Sequence, residues 1–160
     1  MIILGIDPGI AKVGYGIIEK KGKQEPCLVD YGCFETKKSG NFSKRLFKIY
    51  QGLKKIIKKY KPDLLAVENI YFAQNTKTAI DVGKVIGIIL LAAEEARLPL
   101  TEISPLQVKQ SLTTFGRADK KQVQEMVKIF LKMKEIPKPD DAADALAIAL
   151  TAAQYSRLNF

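Results

Sequence analysis

Met1-Ile2-Ile3-Leu4-Gly5-Ile6-Asp7-Pro8-Gly9-Ile10-Ala11-Lys12-Val13-Gly14-Tyr15-Gly16-Ile17-Ile18-Glu19 reads as two strands joined by a tight turn. Met1 to Ile6 is an isoleucine-rich run stopped by Asp7-Pro8-Gly9, so the first strand delivers a carboxylate at its end. Val13 to Ile18 continues as a second strand, with Gly14 and Gly16 on one face and Val13, Tyr15 and Ile17 on the other. Those glycines are expected to leave open backbone near Asp7.

Cys27 to Phe34 reads as a third strand, and the short connections make the three an antiparallel meander. The period then changes. Phe42, Leu46, Ile49, Tyr50, Leu53, Ile56, Ile57 and Tyr60 recur at helical spacing, with lysines and Arg45 between them, predicting an amphipathic helix with a basic outer face. Solvation of that face is the plainer use of its charge. Pro62-Asp63 ends the helix, and Leu64 to Val67 forms a short buried strand that delivers Glu68. A polar segment, Gln74 to Thr78, leads into a long apolar helix carrying Gly83 and Gly87. Leu100 to Ile103 is a fifth strand. Ser104-Pro105 starts a short helix reaching about Leu112, and a further helix carries Val123, Met126, Val127, Phe130 and Leu131. After Pro137-Lys138-Pro139, Asp140 or Asp141 is expected to cap a final alanine-rich helix.

This order predicts an α/β domain over residues 1–160: a five-stranded mixed sheet, three strands in an antiparallel meander and two parallel, flanked by helices. Right-handed crossovers would set the later strands beside the first and bring Glu68 close to Asp7.

The chain has 160 residues and a formal charge of +9, from 26 Lys plus Arg against 17 Asp plus Glu. That balance suits a polyanionic partner such as nucleic acid. No apolar run approaches the ~20 residues of a bilayer span, so a soluble, cytoplasmic protein with no membrane partner is expected. The two cysteines, Cys27 and Cys33, lie six apart in one predicted strand, sharing a face as reduced packing thiols. There is no histidine, which excludes Ser-His-Asp and Cys-His nucleophilic sites and histidine-ligated zinc.

Carboxylates therefore carry the chemistry. Asp141 and Asp144 stand at i and i+3 on one helical face among Ala142, Ala143, Ala145 and Ala147, a face small enough to pack close to the sheet. Taken singly, each acid has an ordinary structural use as a turn residue, strand end, cap or first-turn acid. Together with Asp7 and Glu68 they would repel strongly unless protonated or bridged by cations. An all-oxygen set suits Mg²⁺, and two such ions ~4 Å apart can activate water and stabilise a leaving oxygen in phosphodiester hydrolysis.

Gly5-Ile6-Asp7-Pro8-Gly9 with Gly14-Tyr15-Gly16, then Ala66-Val67-Glu68, then Asp141-Ala142-Ala143-Asp144-Ala145-Leu146-Ala147 resemble, in order, the motifs of the RuvC family of Holliday-junction resolvases. Asn75 to Gly83, Gln107 to Gln110 and Asp119 to Gln124 extend the similarity along almost the whole chain. The resemblance implies a ribonuclease H-like fold, with Asp7, Glu68, Asp141 and Asp144 as catalytic acids holding two Mg²⁺ ions, Mn²⁺ being a substitute. It implies a homodimer that nicks four-way junction DNA in recombination and repair, and association with the RuvAB branch-migration motor. Lys109 and Lys120 fall where the family places basic residues near phosphates, and Tyr71 where it places an aromatic that stacks on an unpaired base. Asn69 after Glu68, Tyr71, and Lys84-Val85-Ile86 before Gly87 depart from the family's usual residues.

Two other readings stay open at this level. A related ribonuclease H-like nuclease of the YqgF type would use a similar acid cluster on another nucleic acid. A non-catalytic nucleic-acid-binding module could keep the fold alone.

Overall fold

The computed structural model describes residues 1–36, 41–69 and 76–156. Strands β1 (Ile2–Asp7), β2 (Lys12–Glu19) and β3 (Cys27–Glu35) form the antiparallel meander, with β1 pairing Gly5 to Gly16 and Asp7 to Gly14. Helix α1 (Phe42–Tyr60) leads to β4 (Leu64–Glu68), and helix α2 (Thr76–Glu95) to β5 (Leu100–Ile103). The sheet order is β3-β2-β1-β4-β5, with β1, β4 and β5 parallel, so the mixed sheet expected from the element order is present. Helices α3 (Pro105–Thr113), α4 (Lys120–Phe130) and α5 (Asp140–Tyr155) follow.

Strand alternation divides the core into two layers. Leu4, Ile6, Val13, Ile17, Leu65 and Val67 pack against α1 and α2 through Ile49, Leu53, Ile56, Val85 and Ile89. Ile3, Ile18, Ala66 and Ile103 face the other way, against α3, α4 and α5. The glycines of β1 and β2 belong to that second face and are not open: a Cβ at Gly5 would stand 2.2 Å from the Ala145 carbonyl oxygen, and one at Gly14 1.9 Å from that of Asp141. The alanine-rich helix fills the space the glycines provide, which brings its backbone down onto the strands.

Local signals account for most helix boundaries. Ser104 caps α3 with Pro105 at the first position, and Ser104 with Gln107, like Asp119 with Gln122 on α4, exchange side-chain and backbone hydrogen bonds at the helix starts. At α5 the expectation of an aspartate cap fails. Pro139 occupies the N-cap without a side-chain bond, and its carbonyl accepts from the Ala142 and Ala143 amides. The helix thus begins early enough to put Asp140 and Asp141 in its first turn, where their charge favours the dipole and their oxygens remain free of capping duty.

Cys27 and Cys33 do not share a face. The β2–β3 register shifts between Ile17 and Ile18, whose partners are Asp30 and Leu28, and the extra residue at Val29 reverses the alternation. Cys33 pairs with Gly14 on the α5 side, whereas Cys27 pairs with Glu19 on the opposite side; both are free thiols. No helix among the described residues is long and apolar enough to cross a membrane.

Candidate active site

The parallel register pairs Gly5 with Ala66 and Ile6 with Val67, so the next residues, Asp7 and Glu68, leave their strands side by side. Period two puts both on the face of Gly5 and Ala66, toward α5. There the first turns of α5 present Asp141 over Gly14 and Asp144 one turn further on. Three elements distant in sequence thus deliver four acids to one end of the sheet.

Their electrostatics register the convergence. Asp7 is pushed up to about 7, first by burial and then by the charges of Glu68, Asp144 and Asp141, with Lys120 acting the other way. Glu68 is also raised to about 7, by burial and then by Asp144. Burial raises Asp144 too, against the opposing influence of Lys120. Cys33, nearby, is pushed up to about 11 by burial and by Asp141, so its thiol stays protonated and is no nucleophile at neutral pH.

Lys120 is the cation inside this cluster. Its Nζ lies 2.7 Å from Asp144 Oδ2 and 4.0 Å from Asp140 Oδ2. Burial works against its charge, but the hydrogen bond to Asp144 and the surrounding acids prevail and keep it firmly protonated. Glu68, Lys109, Lys120 and Asp144 line one pocket of about 200 Å³, floored by Val108, Val123, Ala147 and Ile148. The two lysines singled out in the sequence are thereby brought to the acids. A larger groove of about 690 Å³ between α3 and α4 holds Phe115, Met126 and Phe130. It contains none of the four converging acids, whereas the smaller pocket is lined by two of them, Glu68 and Asp144.

Gln124 is a residue to which the sequence reading gave no role. It sits one turn after Lys120 on α4 and is 7% exposed. Its amide lies beside Asp144 and favours that carboxylate's charged form, although the Nε2 reaches no full hydrogen bond. The signal that could have found it is the i, i+4 spacing from Lys120, which puts both side chains over α5. Tyr71 lies outside the described residues.

The donor set suits a hard divalent cation: carboxylates only, partly desolvated and raising one another's proton affinity, with one lysine set against them. Among the described residues no three or more Asp, Glu, Cys or His side chains form a ready-made cage. The four acids act on one another through space without being closed around a point.

The sequence pattern of the family described as Crossover junction endodeoxyribonuclease RuvC matches residues 3–152. The Crossover junction endodeoxyribonuclease RuvC of Caldicellulosiruptor saccharolyticus is 53% identical over 150 residues, covering 94% of this chain and 90% of that protein. The solved Thermus thermophilus RuvC structure superposes with a TM-score of 0.91 at 37% identity, covering 99% of this chain and 97% of that one. The structure of T. thermophilus RuvC in complex with Holliday junction substrate also gives 0.91, at 35% identity, covering 99% and 96%. With its ribonuclease H-like sheet and its acids gathered at one end of it, this chain belongs to the RuvC family of crossover junction endodeoxyribonucleases.

Proposed function

We propose that residues 1–160 act as one nuclease domain that resolves four-way DNA junctions by paired, symmetric, metal-dependent nicks. The observation that carries this reading is the convergence of Asp7, Glu68, Asp141 and Asp144 at one sheet end, in a family whose T. thermophilus member has been solved with a Holliday junction.

The four acids would hold two Mg²⁺ ions, with Mn²⁺ as a substitute. When bound, the ions supply a water activated at neutral pH and stabilise charge on the leaving oxygen. The chain's own groups do the rest. Lys109 and Lys120 neutralise the phosphate that enters their pocket, and Lys120 holds Asp144 from the α4 side, with the Gln124 amide beside it favouring the charged carboxylate. Tyr71, three residues beyond Glu68, is assigned to stacking on an unpaired base at the crossover, where such a contact contributes ~1 to 3 kcal/mol.

Two matched cuts call for two matched sites, which a two-fold homodimer provides. The outer face of α2 favours it: Ile80, Leu90 and Leu91 are exposed, and a Cβ added at Gly83 or Gly87 would meet nothing within 4 Å. Apolar side chains beside open glycine backbone suit close helix pairing.

The test is cleavage of a labelled four-way junction against linear duplex and an RNA–DNA hybrid, each with Mg²⁺ and with EDTA. Paired nicks in the junction alone, lost with EDTA, are expected. Cutting of the hybrid instead would move the chain to another nuclease activity, and binding without cutting in any metal would make it a binding module.

A further inference from the structure

The basic charge of this chain is not spread over it. Residues 42–61, which are α1 and its C-cap, carry eight Lys or Arg and no acid, leaving 18 basic against 17 acidic residues elsewhere. Nearly all of the +9 therefore resides on one helix.

The inner face of α1 is committed to the core through Ile49, Leu53 and Ile56. The outer face exposes Lys44, Phe47, Lys48, Lys55 and Lys58 in register along the helix, ending at Lys61 in the C-cap. Among the described residues Lys44, Lys55, Lys58 and Lys61 enter no ion pair. Like charges at i, i+3 and i, i+4 destabilise a bare helix, and no acid on this helix relieves them.

The position of α1 gives the stripe a direction. At its start, Arg45 Nη2 donates to the Ile10 carbonyl at 2.9 Å, just beyond Asp7, and Lys48 Nζ donates to the Glu35 carbonyl at 2.8 Å. Past its end, the Asp63 amide donates to the Ile2 carbonyl at 2.8 Å, at the opposite end of β1. The helix therefore runs from the acid end of the sheet to the far end, roughly 28 Å at 1.5 Å per residue, which is the length of about 8 base pairs.

We infer that the outer face of α1 is a second DNA-binding surface, which takes the phosphate backbone of a duplex arm leading away from the catalytic end. Charge complementarity selects the occupant: a stripe of unpaired ammonium groups along a straight rod matches a regularly charged duplex. An anionic membrane is disfavoured because the helix's apolar face is already buried in the core. The inference rests on the junction-resolving reading.

The experiment compares the wild-type chain with the triple variant Lys44→Gln, Lys55→Gln, Lys58→Gln, measuring junction binding in EDTA across a salt series. Junctions with arms of about 20 and about 6 base pairs are used. On the long-armed junction, the plot of log affinity against log salt should be shallower for the variant by up to about 5, since the dimer loses three lysines on each subunit and each phosphate contact contributes ~0.9. Short arms, about 20 Å long, run out before Lys58 and should reduce the difference, and cleavage of the short-armed junction at saturating protein in Mg²⁺ should be unchanged, which also shows the variant is folded. An unchanged slope on long arms, or an equal loss on short ones, overturns the inference. So does loss of binding to phosphatidylserine vesicles in the variant with DNA binding intact, which would assign the helix to a membrane. If the wild-type chain fails to prefer junction over duplex, the resolvase reading itself fails, a result separable from the behaviour of α1.

Discussion

Asp7→Asn should reduce junction cleavage by about 10³-fold or more, equivalent to about 4 kcal/mol of lost transition-state stabilisation, while leaving junction binding within a few-fold of wild type. Asparagine keeps the size of the side chain and one oxygen but removes the charge on which the other three acids converge. The same substitution should stabilise the metal-free fold, and the sign follows from the direction of the shift. Asp7 and Glu68 are both raised to about 7, so between their ordinary values near 4 and pH 7 the folded chain binds more protons than the unfolded one. Stability then falls as pH rises through that window, and the penalty is fully present above it. In EDTA at pH 8 the variant should gain on the order of 2 kcal/mol, roughly 5 °C in Tm, and at pH 4 almost nothing. Activity retained in Asp7→Asn would remove that residue from the metal set. A variant no more stable than wild type at pH 8 would mean the acids do not strain the fold as described.

The second large effect comes from a residue with no side chain. Gly14→Ala would put its Cβ 1.9 Å from the Asp141 carbonyl oxygen and 2.4 Å from the carbonyl carbon, contacts that only a shift of strand or helix can relieve. Overpacking of this kind costs about 3 kcal/mol. Because the displaced backbone belongs to Asp141, cleavage should fall about 100-fold even where the protein stays folded. Thermal melts and cleavage assays at a temperature where the variant is fully folded separate the two losses. Wild-type cleavage in such a folded variant would show that the first turn of α5 can move without consequence.

The elements were legible in the sequence wherever a local pattern decides structure. Short apolar runs bounded by Asp7-Pro8-Gly9, Pro62-Asp63 and Ser104-Pro105 are settled by neighbouring residues, and so was the delivery of Asp7 and Glu68 at strand ends. The pairing of Asp141 with Asp144 followed from helical spacing. What could not be seen were consequences of register and contact between distant segments. The bulge at Val29 that separates Cys27 from Cys33 arises from pairing with β2, and no local signal marks it. Gly14 and Gly16 of β2 suggested room near Asp7, whereas α5 occupies it. The start of α5 at Pro139 depends on which carbonyl accepts the first amides, and an aspartate one or two residues later reads as a cap equally well. Gln124 gains meaning only once α4 lies on α5.

Helix α5 packs against all five strands and against α3 and α4. A sheet strand cannot be peeled away while the helix stays docked, nor the helix released while the sheet persists, so the acid end and the core open as one cooperative unit. Amide exchange along α5 from Asp144 onward, past the unbonded amides of the first turn, should then proceed only through global unfolding, at the rate of the slowest strand amides; faster exchange at Asp144 to Ala147 would show a separately fraying site. In such an architecture a mutation that weakens the core lowers the number of working molecules and leaves the chemistry of each survivor intact.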